Sequence, residues 1–213
     1  LSELQPGDVE NLQALERVKS ARRDLAGAIE VLERLVVADP RGATAYLQRM
    51  AEHAHDLYRD EVGGSNYWTW APGRLAKLQC DMSAMIGPDM FGEFMVPVLT
   101  EMTERVSYSF YHWDGPGSIC HHDHLLSIPG LDMLQWTPGS GVEPCANERW
   151  WPLYHKTFEE GKKVLIWIDG RDCLLTLKRE FGPKLKQFML GMGAKTEKEG
   201  RELLKLAEVG SSS

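Results

Sequence analysis

Tyr108-Ser109-Phe110-Tyr111-His112-Trp113-Asp114-Gly115-Pro116-Gly117 decides how this chain is read. The apolar and aromatic run has the character of a buried strand, and it ends abruptly in polar and ionisable residues. His112 and Asp114 are two positions apart, so on a strand both project to the same face. A Gly-Pro-Gly turn follows, then a helical pattern holding His121, His122, Asp123 and His124. Four of the seven histidines lie between positions 112 and 124. In a repeating strand–helix protein, the carboxyl end of a strand is where chemistry sits.

Working outward from this stretch, a regular alternation appears. Leu78 to Ser83 is a short extended candidate, and a helix near 88–104 has Pro88 at its start, where a missing N–H is harmless. The strand over 106–113 is followed by a helix near 117–127. Strand 131–136 ends at Thr137-Pro138-Gly139, and a helix near 147–160 ends at Gly161. Strand 163–168 ends at Asp169-Gly170, and a helix near 171–181 stops at Gly182-Pro183. Strand 186–191 precedes a helix near 196–208, which opens with a Thr196/Glu199 capping box. Strands each followed by a helix predict parallel βα units. Upstream, residues 8–38 carry one helical spacing ended by Asp39-Pro40, and a second helix spans about 43–60. Tyr67-Trp68-Thr69-Trp70 has the look of a short strand. The expected organisation is a helical segment over 1–62, βα repeats over 63–208 and a flexible tail over 209–213. The chain opens at Leu1, directly into amphipathic helix, which suggests a piece of a longer chain.

Bulk properties narrow the function classes. The net charge is −7 with no basic stripe, which disfavours nucleic acid or an anionic membrane as partner. No apolar run approaches the roughly 18–20 residues of a membrane span, and the first twenty residues carry no secretory pattern. Cys80, Cys120, Cys145 and Cys173 are widely spaced, as expected of reduced thiols in the cytoplasm. Trp68, Trp70, Trp113, Trp136 and Trp167 lie in or beside candidate strands, where they either pack a core or wall a bulky ligand. Met82, Met85, Met90, Met95 and Met102 have near-helical spacing and are expected to fill core.

As an ordered set, several stretches resemble the uroporphyrinogen decarboxylase-like superfamily, which includes corrinoid- and coenzyme M-linked methyltransferases. They are Gln79-Cys80-Asp81, Met90 to Pro97, Tyr111-His112-Trp113-Asp114-Gly115, His121 to Leu126, and Leu134-Gln135-Trp136-Thr137-Pro138-Gly139. The resemblance covers roughly residues 65 to 208. It implies a (β/α)8 TIM barrel of which this chain is the C-terminal part, preceded by helices that belong to the barrel's outer layer. Half a barrel has open strand edges, which favours a homodimer.

Two chemistries run on that scaffold. Decarboxylation of a tetrapyrrole needs cationic clamps for carboxylates and a placed acid. Asp81, His112 and Asp114 are the candidates for the acid. Cations near the strand ends are few: Arg74, Lys77, Arg171 and Lys195. The true decarboxylases carry Leu-Gly-His-Gly after the last strand, where this chain has Leu190-Gly191-Met192-Gly193. Methyl transfer implies zinc, bound in the family by His-x-Cys and a later Cys. Here His112 and Asp114 take the first two places, with Cys145, Asp169 or Cys173 as third ligand. A corrinoid would enter on a partner protein. Gln135 is expected to orient a substrate carboxylate or carbonyl, with Trp113 and Trp136 as pocket walls, His121 as a further contact and Asp169 at the barrel mouth. The plainer reading makes His112 and Asp114 a hydrogen-bonded pair closing a strand, and the histidine cluster a solvated helix start. The expected function is corrinoid-linked methyl transfer or tetrapyrrole decarboxylation. A barrel that binds a tetrapyrrole or corrinoid without turnover, or a truncated fragment, is the alternative.

Overall fold

The computed structural model describes residues 9–208; the expected tail over 209–213 lies outside them. The chain divides into two units, with the boundary between Leu75 and Ala76 rather than near residue 62.

Among the described residues, the first unit holds three α-helices and a hairpin. Helices α1 (Val9–Ala21) and α2 (Leu25–Ala38) replace the single helix expected over 8–38. The break is local: Arg23 takes a left-handed φ of 58°, and the Asp24 side chain accepts a hydrogen bond from Gly27 N at 3.1 Å, capping α2. Leu12, Val31, Leu32, Leu35 and Tyr46 pack together, joining α1 and α2 to α3 (Ala43–Tyr58). Glu16 is fully buried among these helices. Its carboxylate accepts from the Ser20 hydroxyl at 2.7 Å, lies 3.2 Å from His53 Nε2, and pairs with Arg49. Strands β1 (Ser65–Tyr67) and β2 (Thr69–Ala71) form an antiparallel hairpin turning at Trp68, where one strand was expected. Trp68 has φ 61°, which reverses the chain within the aromatic run.

The second unit is a mixed α/β layer. Strands β3 (Leu75–Leu78), β4 (Tyr108–Asp114), β5 (Met133–Thr137), β6 (Lys163–Trp167) and β7 (Phe188–Gly191) line up in the order of the chain. They form a parallel sheet, with the β4–β5, β5–β6 and β6–β7 registers all parallel. A helix α4 (Pro88–Met90) runs through a π turn (Phe91–Met95) into α5 (Val96–Thr103). The others are α6 (His122–Leu126), α7 (Trp151–Glu159), α8 (Gly170–Phe181) and α9 (Glu197–Ala207).

The two faces of the sheet carry different work. Tyr111, Trp113, Leu134, Trp136, Val164 and Ile166 share one face and one core with Leu99, Leu125, Tyr154, Phe158, Leu174, Leu177 and Leu203 of the helices. Those helical residues come from α5, α6, α7, α8 and α9, so all five helices pack on the same side. At about 25 cal/mol per Å² this apolar layer is the main source of the unit's stability. The opposite face presents Phe110, His112 and Asp114 beside Met133, Gln135 and Thr137, then Leu165 and Trp167. Among the described residues no helix is long and apolar enough to cross a membrane.

The tryptophan and methionine expectations need correction. Trp113 and Trp136 are buried on the helix side, 4.9 Å apart edge to face, and Trp150 continues the stack at 5.0 Å. They fill core and do not wall a pocket. Met82, Met85, Met90 and Met102 are exposed; only Met95 of that group packs against the core. Helical spacing placed them on a helix, but on a flank the sheet does not reach.

Candidate functional site

His112 and Gln135 are direct register partners on β4 and β5, and their side chains meet on the face away from the helices. Gln135 is completely buried, so each of its polar atoms must find a partner. Its Nε2 donates to the Trp136 carbonyl at 3.0 Å and to Thr137 Oγ1 at 2.7 Å. A carbonyl can only accept, so the amide nitrogen is fixed there and Oε1 is left to accept from His112 Nδ1–H. That hydrogen bond selects the tautomer: the proton sits on Nδ1, and Nε2 carries the lone pair. Nε2 lies 3.9 Å from Asp114 Oδ2, whose carboxylate is exposed at the strand's end. The arrangement holds an imidazole in one tautomer and one orientation with a carboxylate beside its Nε2. That is what general acid–base chemistry requires of a histidine.

Thr137 belongs to this row and was not singled out from sequence. The signal was available, since it stands two positions beyond Gln135 on the same strand. Trp167, one of the tryptophans expected in or beside a strand, lies on this face of the sheet. A Cβ on Gly191 would stand 2.6 Å from Trp167 Cδ1 and Nε1, so the indole lies across the backbone of its register partner. The glycine of the Leu190-Gly191-Met192-Gly193 stretch thus makes room for an aromatic surface on the site's face of the sheet. Met192 instead packs partly against the helix-side core.

The remaining expected residues are dispersed. Asp81 opens the 3-10 turn after β3, exposed and bonded to the Gln79 side-chain amide. Asp169 stands exposed between β6 and α8. With Asp114, the last residue of β4, these carboxylates lie at or just beyond the carboxyl ends of three parallel strands. His121 is fully buried on the helix side: its ring stacks on Phe91 at 4.3 Å, and its Nε2 donates to the Ser83 carbonyl at 2.7 Å. It anchors the turn after β3 and does not join His112. His122 is buried too, bonded to Thr157 Oγ1 at 2.9 Å and packed on Trp113. Burial, aided by Lys156, pushes its pKa down to about 4. The solvated helix start expected for this cluster is therefore replaced by two core histidines.

The zinc expectation does not fit these residues. Cys145 is buried in the helix-side core, its thiol directed to the Trp136 carbonyl at 3.6 Å. Burial pushes the thiol's pKa up to about 11, against the thiolate that zinc takes as ligand. Among the described residues no three His, Cys, Asp or Glu side chains are grouped to hold a metal ion. Cys173 is partly buried against the same core. His112 is positioned by the Gln135 amide.

Compared with family models, curated proteins and solved structures, the chain matches none of them.

Proposed function

We propose that this chain is part of a uroporphyrinogen decarboxylase-like (β/α)8 barrel enzyme whose chemistry is proton transfer at His112. Strands in sequence order with every helix on one face support a barrel segment over a doubly wound sheet, which carries helices on both faces. The observation that carries the catalytic reading is the Gln135-fixed tautomer of His112. Of the two reactions this scaffold hosts, the charge at the strand ends favours corrinoid-linked methyl transfer. Asp81, Asp114 and Asp169 lie at or just beyond three strand ends, and a tetrapyrrole bearing several carboxylates would be repelled there. A corrinoid on a partner protein would supply the acceptor for the methyl group. The residues of this chain act on the other product: the bond from methyl carbon to oxygen or nitrogen breaks, its electron pair stays with the leaving atom, and that atom takes a proton that His112 Nε2 has first accepted from solvent. When protonated, the imidazole pairs with Asp114 at 3.9 Å, which holds the acid in place before transfer.

The second reading is a barrel that binds a corrinoid or tetrapyrrole without turnover. Met192 in place of the decarboxylases' histidine favours it, because a thioether donates no proton.

The experiment supplies reduced cobalamin with methylated amines and methoxyarenes, and follows the methylcobalamin spectrum. The reading expects formation that falls about 100-fold or more in His112→Gln. Carbon dioxide from uroporphyrinogen with no methyl transfer would overturn the methyl-transfer assignment in favour of decarboxylation. A spectral shift of cobalamin with neither product would establish the binder.

A further inference from the structure

Between Leu78 and Glu104 the sequence holds Asp81, Asp89, Glu93, Glu101 and Glu104 and not one lysine, arginine or histidine. The structure gives that run a shape. Along the continuous helix from Pro88 to Thr103, residues four apart form stripes. Phe91, Met95, Leu99 and Thr103 turn inward. One position earlier, Met90, Phe94, Val98 and Met102 form a second apolar stripe, and it is exposed: 49%, 57%, 46% and 41% respectively. Met82 and Met85, in the turn before the helix, extend it at 58% and 76%. The π turn over Phe91–Met95 is wider than an α turn, which keeps Met90 and Phe94 close to one line. On the side away from the core the apolar stripe is bordered by Asp89 and Glu93, which make no ion pair among the described residues. Glu101 of the same row is neutralised by Arg105.

An apolar flank of this length needs a cover. Methionines dominate it, and their flexible, polarisable side chains adapt to a partner's surface better than branched ones. Charge decides the occupant. A second copy of this chain would bring Asp89 and Glu93 against the same carboxylates, at a net charge of −7 per chain. We infer that the Met90–Phe94–Val98–Met102 flank, extended by Met82 and Met85, docks a helix of a partner protein whose apolar stripe is bordered by lysine or arginine. The partner helix lies alongside α5 in the helix layer, its apolar side chains between the methionines and its cations on Asp89 and Glu93.

The test uses the full chain and two designed helical peptides with the same leucine stripe, one bordered by lysine and one by glutamate. Fluorescence anisotropy is expected to show the lysine peptide binding about tenfold or more tightly than the glutamate peptide. Met90→Ser with Phe94→Ser keeps every charge and is expected to lose binding about tenfold; Asp89→Lys with Glu93→Lys should reverse the preference. All four positions are exposed, so circular dichroism should show both variants folded. Equal binding of the two peptides would overturn the inference, as would unchanged binding in the serine variant, which would mean charge attraction alone. A dimer in sedimentation that Phe94→Ser dissociates would also overturn it, since a second copy would then be the cover.

Discussion

Gln135 accepts from His112 Nδ1 across two parallel strands and is itself locked by the Trp136 carbonyl and Thr137 Oγ1. The imidazole's proton position is thus set by the neighbouring amide, which on the proposed function would touch no reacting atom. Gln135→Leu removes the acceptor and frees the ring to exchange tautomers. The expected result is a fall in kcat of about 10–100-fold with KM little changed. Gln135→Glu, which keeps an acceptor, should retain more activity. Nitrogen NMR of His112 gives a readout that simple destabilisation would not move: Nδ1–H in the parent, a mixture in the leucine variant. A single Nδ1–H tautomer in Gln135→Leu would show that the ring is fixed by something else.

The strand–helix alternation after residue 83 was legible because each strand is a short apolar run closed by glycine or proline, as at Thr137-Pro138-Gly139 and Asp169-Gly170. Period-two spacing also placed His112 and Asp114 on one face correctly. What failed was the assignment of sides. Trp113 and Trp136 alternate with His112 and Gln135, so the same rule that joined the polar pair should have excluded the tryptophans from it. His121 and His122 misled for another reason: a polar cluster at a helix start normally faces water, and only tertiary partners, Ser83 and Thr157, make its burial tolerable. The break at Arg23 was hidden because apolar spacing continues on both sides of it. The burial of Glu16 was hidden because, apart from Ser20 on its own helix, its ionic partners Arg49 and His53 are supplied by another helix.

Cys145 and Cys120 should differ sharply towards thiol reagents. Cys120 is exposed, whereas Cys145 is buried with its pKa pushed up to about 11. Titration of the native chain with a disulfide reagent at pH 8 should modify Cys120 first and leave Cys145 protected until the protein unfolds. Elemental analysis after zinc exposure and desalting should accordingly find well under one zinc per chain, and the value should not change in His112→Ala. Stoichiometric zinc lost in that variant would place a metal at the site and refute the fit drawn from Cys145.

Gly191 has no positive φ to protect, so replacing it tests space alone. In Gly191→Ala the new methyl would meet the Trp167 ring at 2.6 Å. Because Trp167 is partly exposed, the ring can swing into solvent, and the fold should lose no more than about 1–3 kcal/mol. The measurable outcome is optical. Subtracting the emission of a Trp167→Phe counterpart isolates one indole among seven, and its spectrum should move to the red in the alanine variant. An unshifted Trp167 spectrum would mean that the ring does not rest on Gly191 in solution.

His122 makes the acid sensitivity of the second unit predictable in sign. Its Nε2–H donates to Thr157 Oγ1, because that hydroxyl spends its own proton on the Leu153 carbonyl at 2.8 Å. Protonating the other nitrogen would place a charge beside Trp113 in the core, and burial accordingly holds the folded pKa down to about 4, from 6.5. The unfolded chain therefore binds a proton that the folded chain refuses throughout the interval between those values. Stability rises with pH across this window: the contribution is present above about 6.5, is lost progressively as pH falls, and is gone near pH 4. The full depression corresponds to at most about 3 kcal/mol. His122→Gln keeps an amide donor for Thr157 and removes the titration. Denaturant unfolding of both proteins from pH 7 to 4 should therefore give curves that differ in slope between pH 6.5 and 4, the wild type losing more. Parallel curves would show that His122 titrates alike in the folded and unfolded chain, and that its burial against Trp113 does not persist in solution.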